Sequence, residues 1–290
     1  MAGIATNRTN INLPPEVSAE VLQKTQQESA VMRLGRQIAL PGRGVTIPVI
    51  TGDPEAAWVE ETGLKPVSNP SLSTKIMQAY KLAVIVPFSD EFRRDAASLY
   101  DAIVARLPLA LAQKFDATVF GAASGAPGSN FDVLGSATAQ SLSTDVYAGL
   151  VAADAAIATA GGIMNGIALS PQGKGILLGA VDGDRRPLFI NNVSEGAVPM
   201  VLGARTVLSK GAFVAGNPAS ANTVGIAGDW TQAVWGTVEG VQIRFADQTS
   251  LTIGNQQVNL WEHNMFAVRA EIEVGFRADV SCFNLLTVTP

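Results

Sequence analysis

The chain has 290 residues, of which 47% are hydrophobic and only 16% charged, with a formal net charge of -5. That length supplies one large domain or two ordinary ones with a substantial core, which excludes disorder of the whole chain; charge below the usual quarter or so is expected of a protein that hides surface against partner subunits. Lys and Arg form no basic stripe, which argues against sequence-specific nucleic-acid binding, and the single cysteine, Cys282, excludes an intrachain disulfide or a cysteine zinc site.

Residues 1–12 are polar and lack the basic start and apolar core of a signal peptide, and no stretch of about 18 strongly apolar residues follows, so synthesis as a soluble cytoplasmic protein is expected. Pro14 and Pro15 introduce a modest helical pattern through Val17, Val21 and Leu22 toward Met32 and Leu34, which reads as a flexible arm followed by one helix. RGVTIPVIT, 43–51, alternates as a strand, and Pro48, which lacks a ladder donor, places it at an edge. Turn chemistry fills 52–73, and KIMQAYKLAVIVPF, 75–88, is a second long extended run. The two runs predict a protruding hairpin, and an isolated two-stranded hairpin is marginal in water, so it needs something to lie on. Within it AAWVEETGLKPVSN carries Trp58, a large apolar side chain among Glu60, Glu61, Lys65 and Pro66 with no periodic run to bury it.

Ser89 with Asp90 and Glu91 has the form of a helix start, and Ser98 with Asp101 has capping-box spacing. From there Leu99, Ile103, Leu107, Leu111, Phe115 and Val119 recur at four-residue steps, predicting a helix of roughly 24 residues, about 36 Å long, kinked at Pro108 and ended by Gly121. An alanine-rich helix over 144–160, a strand over 166–169 and a helix capped by Ser170 with Pro171 in its first turn predict an α/β layer. Beyond Leu188 the pattern is β, and its clearest strand sets Phe266, Val268, Ala270, Ile272, Val274 and Phe276 against Arg269, Glu271, Glu273 and Arg277.

No catalytic constellation emerges. The glycines of SPQGKGILLG do not have phosphate-loop spacing, with Gly175 where Ser or Thr should follow Lys174. Asp182 and Asp184 lack the further acids of a calcium loop and read as a surface turn. His263 is the only histidine, a polar residue at a strand start, and Glu60 and Glu61, adjacent on an extended segment, point to opposite sides. Neither an enzyme nor a bound cofactor or metal is expected.

In this order, arm, long hairpin, long helix, α/β layer and closing β-run resemble the major capsid protein of tailed bacteriophages, the Hong Kong 97 fold. The resemblance rests on AAWVEETGLKPVSNPSLSTKIMQAYKLAVIVPFSDEF (56–92), GIALSPQGKGILLGAVDGDRRPLF (166–189), VGIAGDW (224–230) and MFAVRAEIEVGFRADVSCFNLL (265–286). It implies an α+β chain divided into an N-terminal arm and short helix (1–42), an extended hairpin loop (43–88), a peripheral domain with a spine helix (89–143), an axial domain (144–235) and closing strands that return to the peripheral domain (236–290). It implies hexamers and pentamers forming an icosahedral head around double-stranded DNA, assembled in the host cytoplasm, with portal and decoration proteins as further partners and no membrane. The hairpin would lie across a neighbouring subunit, which makes Trp58, Glu60, Glu61, Lys65, Lys75 and Tyr80 the expected assembly residues. Lys65 and Lys75 are the hairpin lysines available for the covalent links that some family members form, although a shell without such links is expected. Many members carry a scaffolding region of a hundred or so residues, for which the 42 residues before the hairpin leave no room; either scaffolding is a separate protein or the arm does that work. An encapsulin-type compartment shares the fold and is the alternative, but its cargo groove has no clear match in 1–40.

Overall fold

Ser29 opens the structure on a buried cap: its hydroxyl accepts from the Met32 N–H at the start of a short helix, α1 (Ala30–Leu34), whose first three residues are buried. The structure is a computed structural model that describes residues 29–42, 44–52, 58–59, 65, 71–95, 103–121, 125–184, 186–189, 200–216, 221–253 and 256–289. After α1 come β1 (Arg36–Ala39), β2 (Val45–Gly52), β3 (Ser71–Met77) and β4 (Tyr80–Ser89). Here two expectations change. Residues 29–40 belong to the body, since β1 pairs in parallel with a later strand and Leu40 is buried. The extended run expected over 75–88 is two strands, broken at Gln78 and Ala79, that belong to different sheets.

Two short stretches then lead to the long helix. In α2 (Asp90–Asp95) the Ser89 hydroxyl accepts from the Phe92 N–H, with two acids in the first turn where the helix dipole favours them. The helix α3 (Leu107–Val119) has Pro108 in its first turn, where a missing N–H costs no hydrogen bond, so the proline starts this helix instead of kinking a longer one. Residues 98–102 of the expected 24-residue helix lie outside the described residues, and a turn at 105–106 precedes α3.

From there the chain runs through β5 (Thr138–Ser141), α4 (Val146–Thr159), β6 (Gly166–Leu169), α5 (Pro171–Gly179), β7 (Met200–Val201), β8 (Ala204–Leu208) and β9 (Asn222–Gly228). The expected caps are present: Asp145 accepts from Tyr147 and Ala148 before α4, and Ser170 accepts from Gly173 before α5. The remaining strands are β10 (Ala233–Thr237), β11 (Gln242–Ala246), β12 (Ser250–Ile253), β13 (Gln256–Asn259), β14 (Met265–Ala278) and β15 (Phe283–Val288).

Two sheets organise these elements. The first is built on β14, whose length lets β10 and β11 share one edge in succession while β4 runs antiparallel along the other, from Ser89 opposite Met265 to Tyr80 opposite Val274. The second has the order β5-β15-β9-β6-β8-β7, so the last strand closes this sheet and not the first, and the segment expected to return as one unit over 236–290 divides after β14. Helices α4 and α5 cover one face of the second sheet, with Leu150, Ala153, Ile157 and Leu177 against Ile167, Leu169 and Leu286. Because side chains alternate along a strand, Ala168, Ile226 and Leu285 point to the opposite face and join a second cluster with α3 and the even-numbered residues of β14 from Phe266 to Phe276. The spine of the fold is therefore α3, with Leu111, Phe115 and Val119 buried in that shared core.

The connection between the sheets is held by Asp229, which accepts from the Thr231 hydroxyl (2.6 Å) and N–H (3.0 Å), the Asn165 amide (2.8 Å) and the Ile163 N–H (3.2 Å). Beside it, Trp230 donates its indole N–H to the Gly166 carbonyl at 3.0 Å. Burial alone would raise the Asp229 carboxyl, but the donors outweigh it and hold the group below its ordinary 3.8. A carboxyl lowered on folding contributes stability that is present above the ordinary value and lost as pH falls through the lowered one. Melting temperature should therefore drop between about pH 5 and pH 2, and Asp229→Asn should flatten that part of the profile while lowering stability near neutrality. An acid limb of unchanged slope in the variant would contradict this.

Candidate assembly interface

Outside the two sheets stands a two-stranded sheet of its own, β2 against β3, in register from Val45 opposite Met77 to Ile50 opposite Leu72. Its root is anchored by burial: Met77 is fully buried with Leu40 and Val234, and Ile38, Val45, Ile47 and Val238 pack against them. A polar clamp fixes the root as well. Arg277 on β14 donates from Nε to the Ile76 carbonyl (2.8 Å), from Nη1 to Asp132 Oδ1 (2.7 Å) and from Nη2 to Asn130 Oδ1 (3.0 Å). Asp132 also accepts from the Ala278 N–H at 3.1 Å, and the Lys75 ammonium donates to the Ala278 carbonyl at 3.0 Å. Planar guanidinium geometry lets one side chain tie β3, β14 and the 130–132 turn together, and with only 12% of the Arg277 side chain exposed those bonds are partly shielded from water.

Trp58 is fully exposed at 105% and Val59 at 39%. The expected assembly residues thus divide. Trp58 and Lys65 are exposed on the segment between β2 and β3. Glu60 and Glu61 lie outside the described residues. Lys75 sits at the clamped root, its ammonium held by the body, which places it away from Trp58. Tyr80 lies on β4, past the hairpin, where its hydroxyl accepts from the Asn130 N–H at 3.3 Å and its ring meets Phe131 edge-on at 6.1 Å. Sequence reasoning missed the clamp; its only trace was Arg277 on the polar side of the β14 alternation.

Side chains weighed earlier for chemistry serve local structure. Asp182 closes a turn, accepting from Asp184 and Arg186, and His263 ends a short turn of helix before β14. Cys282 is buried, and burial pushes its thiol up, away from the reactive thiolate.

Trp58 is thus exposed on the connection of a two-stranded sheet whose root is clamped to the body. The model of the phage capsid family matches residues 10–280. The chain belongs to the phage capsid family. Its curated relatives include the "Probable major capsid protein gp17" of Mycobacterium phage L5, 30% identical over 95% of this chain and 89% of the relative, and its counterpart in Mycobacterium phage D29, 28% identical over the same shares. A solved structure from Gordonia phage Cozz superposes with a TM-score of 0.72 at 22% identity, covering 91% of this chain and 87% of the other. The capsid of an empty GTA particle superposes at 0.62 with 14% identity, covering 91% and 90%. The fold is thus the mixed α+β fold of phage capsid subunits, and phage relatives of this kind weigh against the compartment alternative.

Proposed function

We propose that the chain is the structural subunit of a tailed-phage head, in which hexamers and pentamers close an icosahedral shell around double-stranded DNA. In this reading β2 with β3 form the extended loop, α3 with the β14 sheet the peripheral domain, and the six-stranded sheet with α4 and α5 the axial domain. The observation that carries this is the full exposure of Trp58 on the connection between β2 and β3, which pair as a two-stranded sheet apart from the two larger sheets. An aromatic of that size, exposed in the single chain, is the kind of side chain that anchors interfaces. The role is architectural, with partners that include a separate scaffolding protein, a portal and a decoration protein. The net charge of -5 suits a wall that touches DNA without specific contacts and lets it stay mobile.

Native mass spectrometry of the purified chain tests the proposal. Five- and six-fold multiples of the 30.2 kDa chain, or closed shells under the electron microscope, are expected. A monomer at micromolar concentration would contradict it. Trp58→Ala should weaken each subunit contact by about 2 kcal/mol, multiplied over symmetric copies, which raises the concentration at which particles appear in light scattering. Particle formation at the wild-type concentration would show that Trp58 is not an anchor.

A further inference from the structure

A pocket of about 340 Å³ opens where the end of α1, the start of β1, β8 and the short turn after β9 meet, and three arginines line it: Arg33, Arg36 and Arg205. All three are exposed, and among the described residues none of their guanidinium groups has a hydrogen bond or an ion pair. Each stands on a fixed element. Arg33 is in the last turn of α1, Arg36 lies opposite Val234 of β10, and Arg205 lies opposite Gly166 of β6, its N–H donated to the Asn165 carbonyl at 3.2 Å. The other polar side chains of the wall are already engaged. The Asn165 side chain accepts from the Trp230 N–H at 2.9 Å and donates to Asp229 at 2.8 Å, and the Thr231 hydroxyl donates to the same carboxylate at 2.6 Å. Asp229 is itself buried, and among the described residues no Asp or Glu lines the pocket.

Three permanent positive charges gathered without a counter-charge repel one another, and they stand out in a chain whose net charge is -5. An anion with several oxygens removes that repulsion, and guanidinium forks match phosphate oxygens two at a time. Trp230 is only 2% exposed and its indole N–H is spent on the Gly166 carbonyl, so the wall offers no aromatic face on which a base could stack. We infer that the pocket bounded by Arg33, Arg36 and Arg205 binds backbone phosphates of DNA. Phosphate contacts position a nucleic acid and carry no sequence information, which agrees with a chain that has no basic stripe. One such pocket on each subunit touches DNA at points and leaves the rest of an acidic wall free of it. The inference rests on the reading above that the shell encloses DNA, and adds where on the subunit the two meet.

Phenylglyoxal, which modifies accessible arginines, tests this on dissociated wild-type subunits at low salt. With a short DNA duplex present, the adducts on Arg33, Arg36 and Arg205 should be lost, while Arg186, exposed in the turn closed by Asp182, keeps its own. Equal modification with and without duplex, or equal protection of Arg186, overturns the pocket. Protection of the three arginines in DNA-free particles would assign them to a contact between subunits and overturn the nucleic-acid assignment. Protection by inorganic pyrophosphate but not by duplex would make this a small-anion site and overturn it as well. Single substitutions of these exposed residues give a second reading. Arg33→Gln, Arg36→Gln and Arg205→Gln should each lower the slope of log affinity against log salt concentration by about 1, equally for two duplexes of unrelated sequence. An unchanged slope in all three variants overturns the pocket, whereas a wild-type chain that never forms particles overturns the assembly role and leaves the protection seen in subunits standing.

Discussion

Replacing Pro48–Thr74 with a two-residue Asn-Gly turn is expected to abolish shells and leave the subunit folded. The register places Ile47 opposite Lys75, so a type I′ turn can close the shortened hairpin at that pair. Everything that holds the root survives: Met77 stays buried with Leu40 and Val234, Arg277 keeps the Ile76 carbonyl, and Lys75 keeps the Ala278 carbonyl. The core shared by α3 and β14 is untouched. What is removed is the exposed segment with Trp58, and a stable interface buries roughly 1,600 Å² in total, much of which an arm of this length would supply. Circular dichroism should therefore match the wild type while light scattering shows no particles. Loss of helix and strand signal would make the segment part of the core, and normal shells would make it dispensable.

Asp116→Ala should destabilise the subunit by about 3–5 kcal/mol, the usual consequence of emptying a buried polar junction. The Asp116 side chain lies on α3 and is fully buried. Its Oδ1 accepts from the Ser29 hydroxyl (2.5 Å) and the Val31 N–H (3.3 Å), and its Oδ2 from the Ala30 N–H (2.8 Å) and the Ser209 hydroxyl (2.6 Å). One carboxylate thus satisfies the N-terminal N–H groups of α1 and joins α1, α3 and the turn after β8, so its removal leaves several buried donors unpaired. Burial raises this carboxyl above its ordinary 3.8 and the four donors only partly offset that. A raised carboxyl contributes stability that is full below the ordinary value and lost as pH rises through the folded one. The gap between wild type and Asp116→Ala in urea unfolding should accordingly be widest in acid and narrow as pH climbs. A gap below about 1 kcal/mol at every pH would show the junction to be idle.

The sequence was most legible where one periodicity dominated. The alternation from Phe266 to Phe276 marked β14, and Ser170 with Pro171 marked the start of α5, because both signals are local. Sheet membership is not local. The pattern of branched residues on both sides of Gln78 and Ala79 is equally extended, and only pairing with β2 on one side and β14 on the other separates β3 from β4. Similarly, α1 has five residues, too few to stand without tertiary support, and what buries it is Asp116, a partner 86 residues from Ala30. Pro108 allowed either a kink or a start, and the choice rests on the turn before it. Trp58 was legible as an anomaly, a large apolar side chain with no periodic company, and the structure leaves it exposed.

Hydroxyl-radical footprinting of the four tryptophans, in dissociated subunits and in assembled particles, bears most directly on whether the hairpin is an assembly arm. Trp230 and Trp235 are buried within the subunit and serve as internal standards, protected in both states, while Trp58 is fully exposed in the single chain. Trp58 should oxidise readily in subunits and at least tenfold more slowly in particles, as expected of a side chain buried at the centre of an interface. Equal oxidation of Trp58 in both states would contradict it.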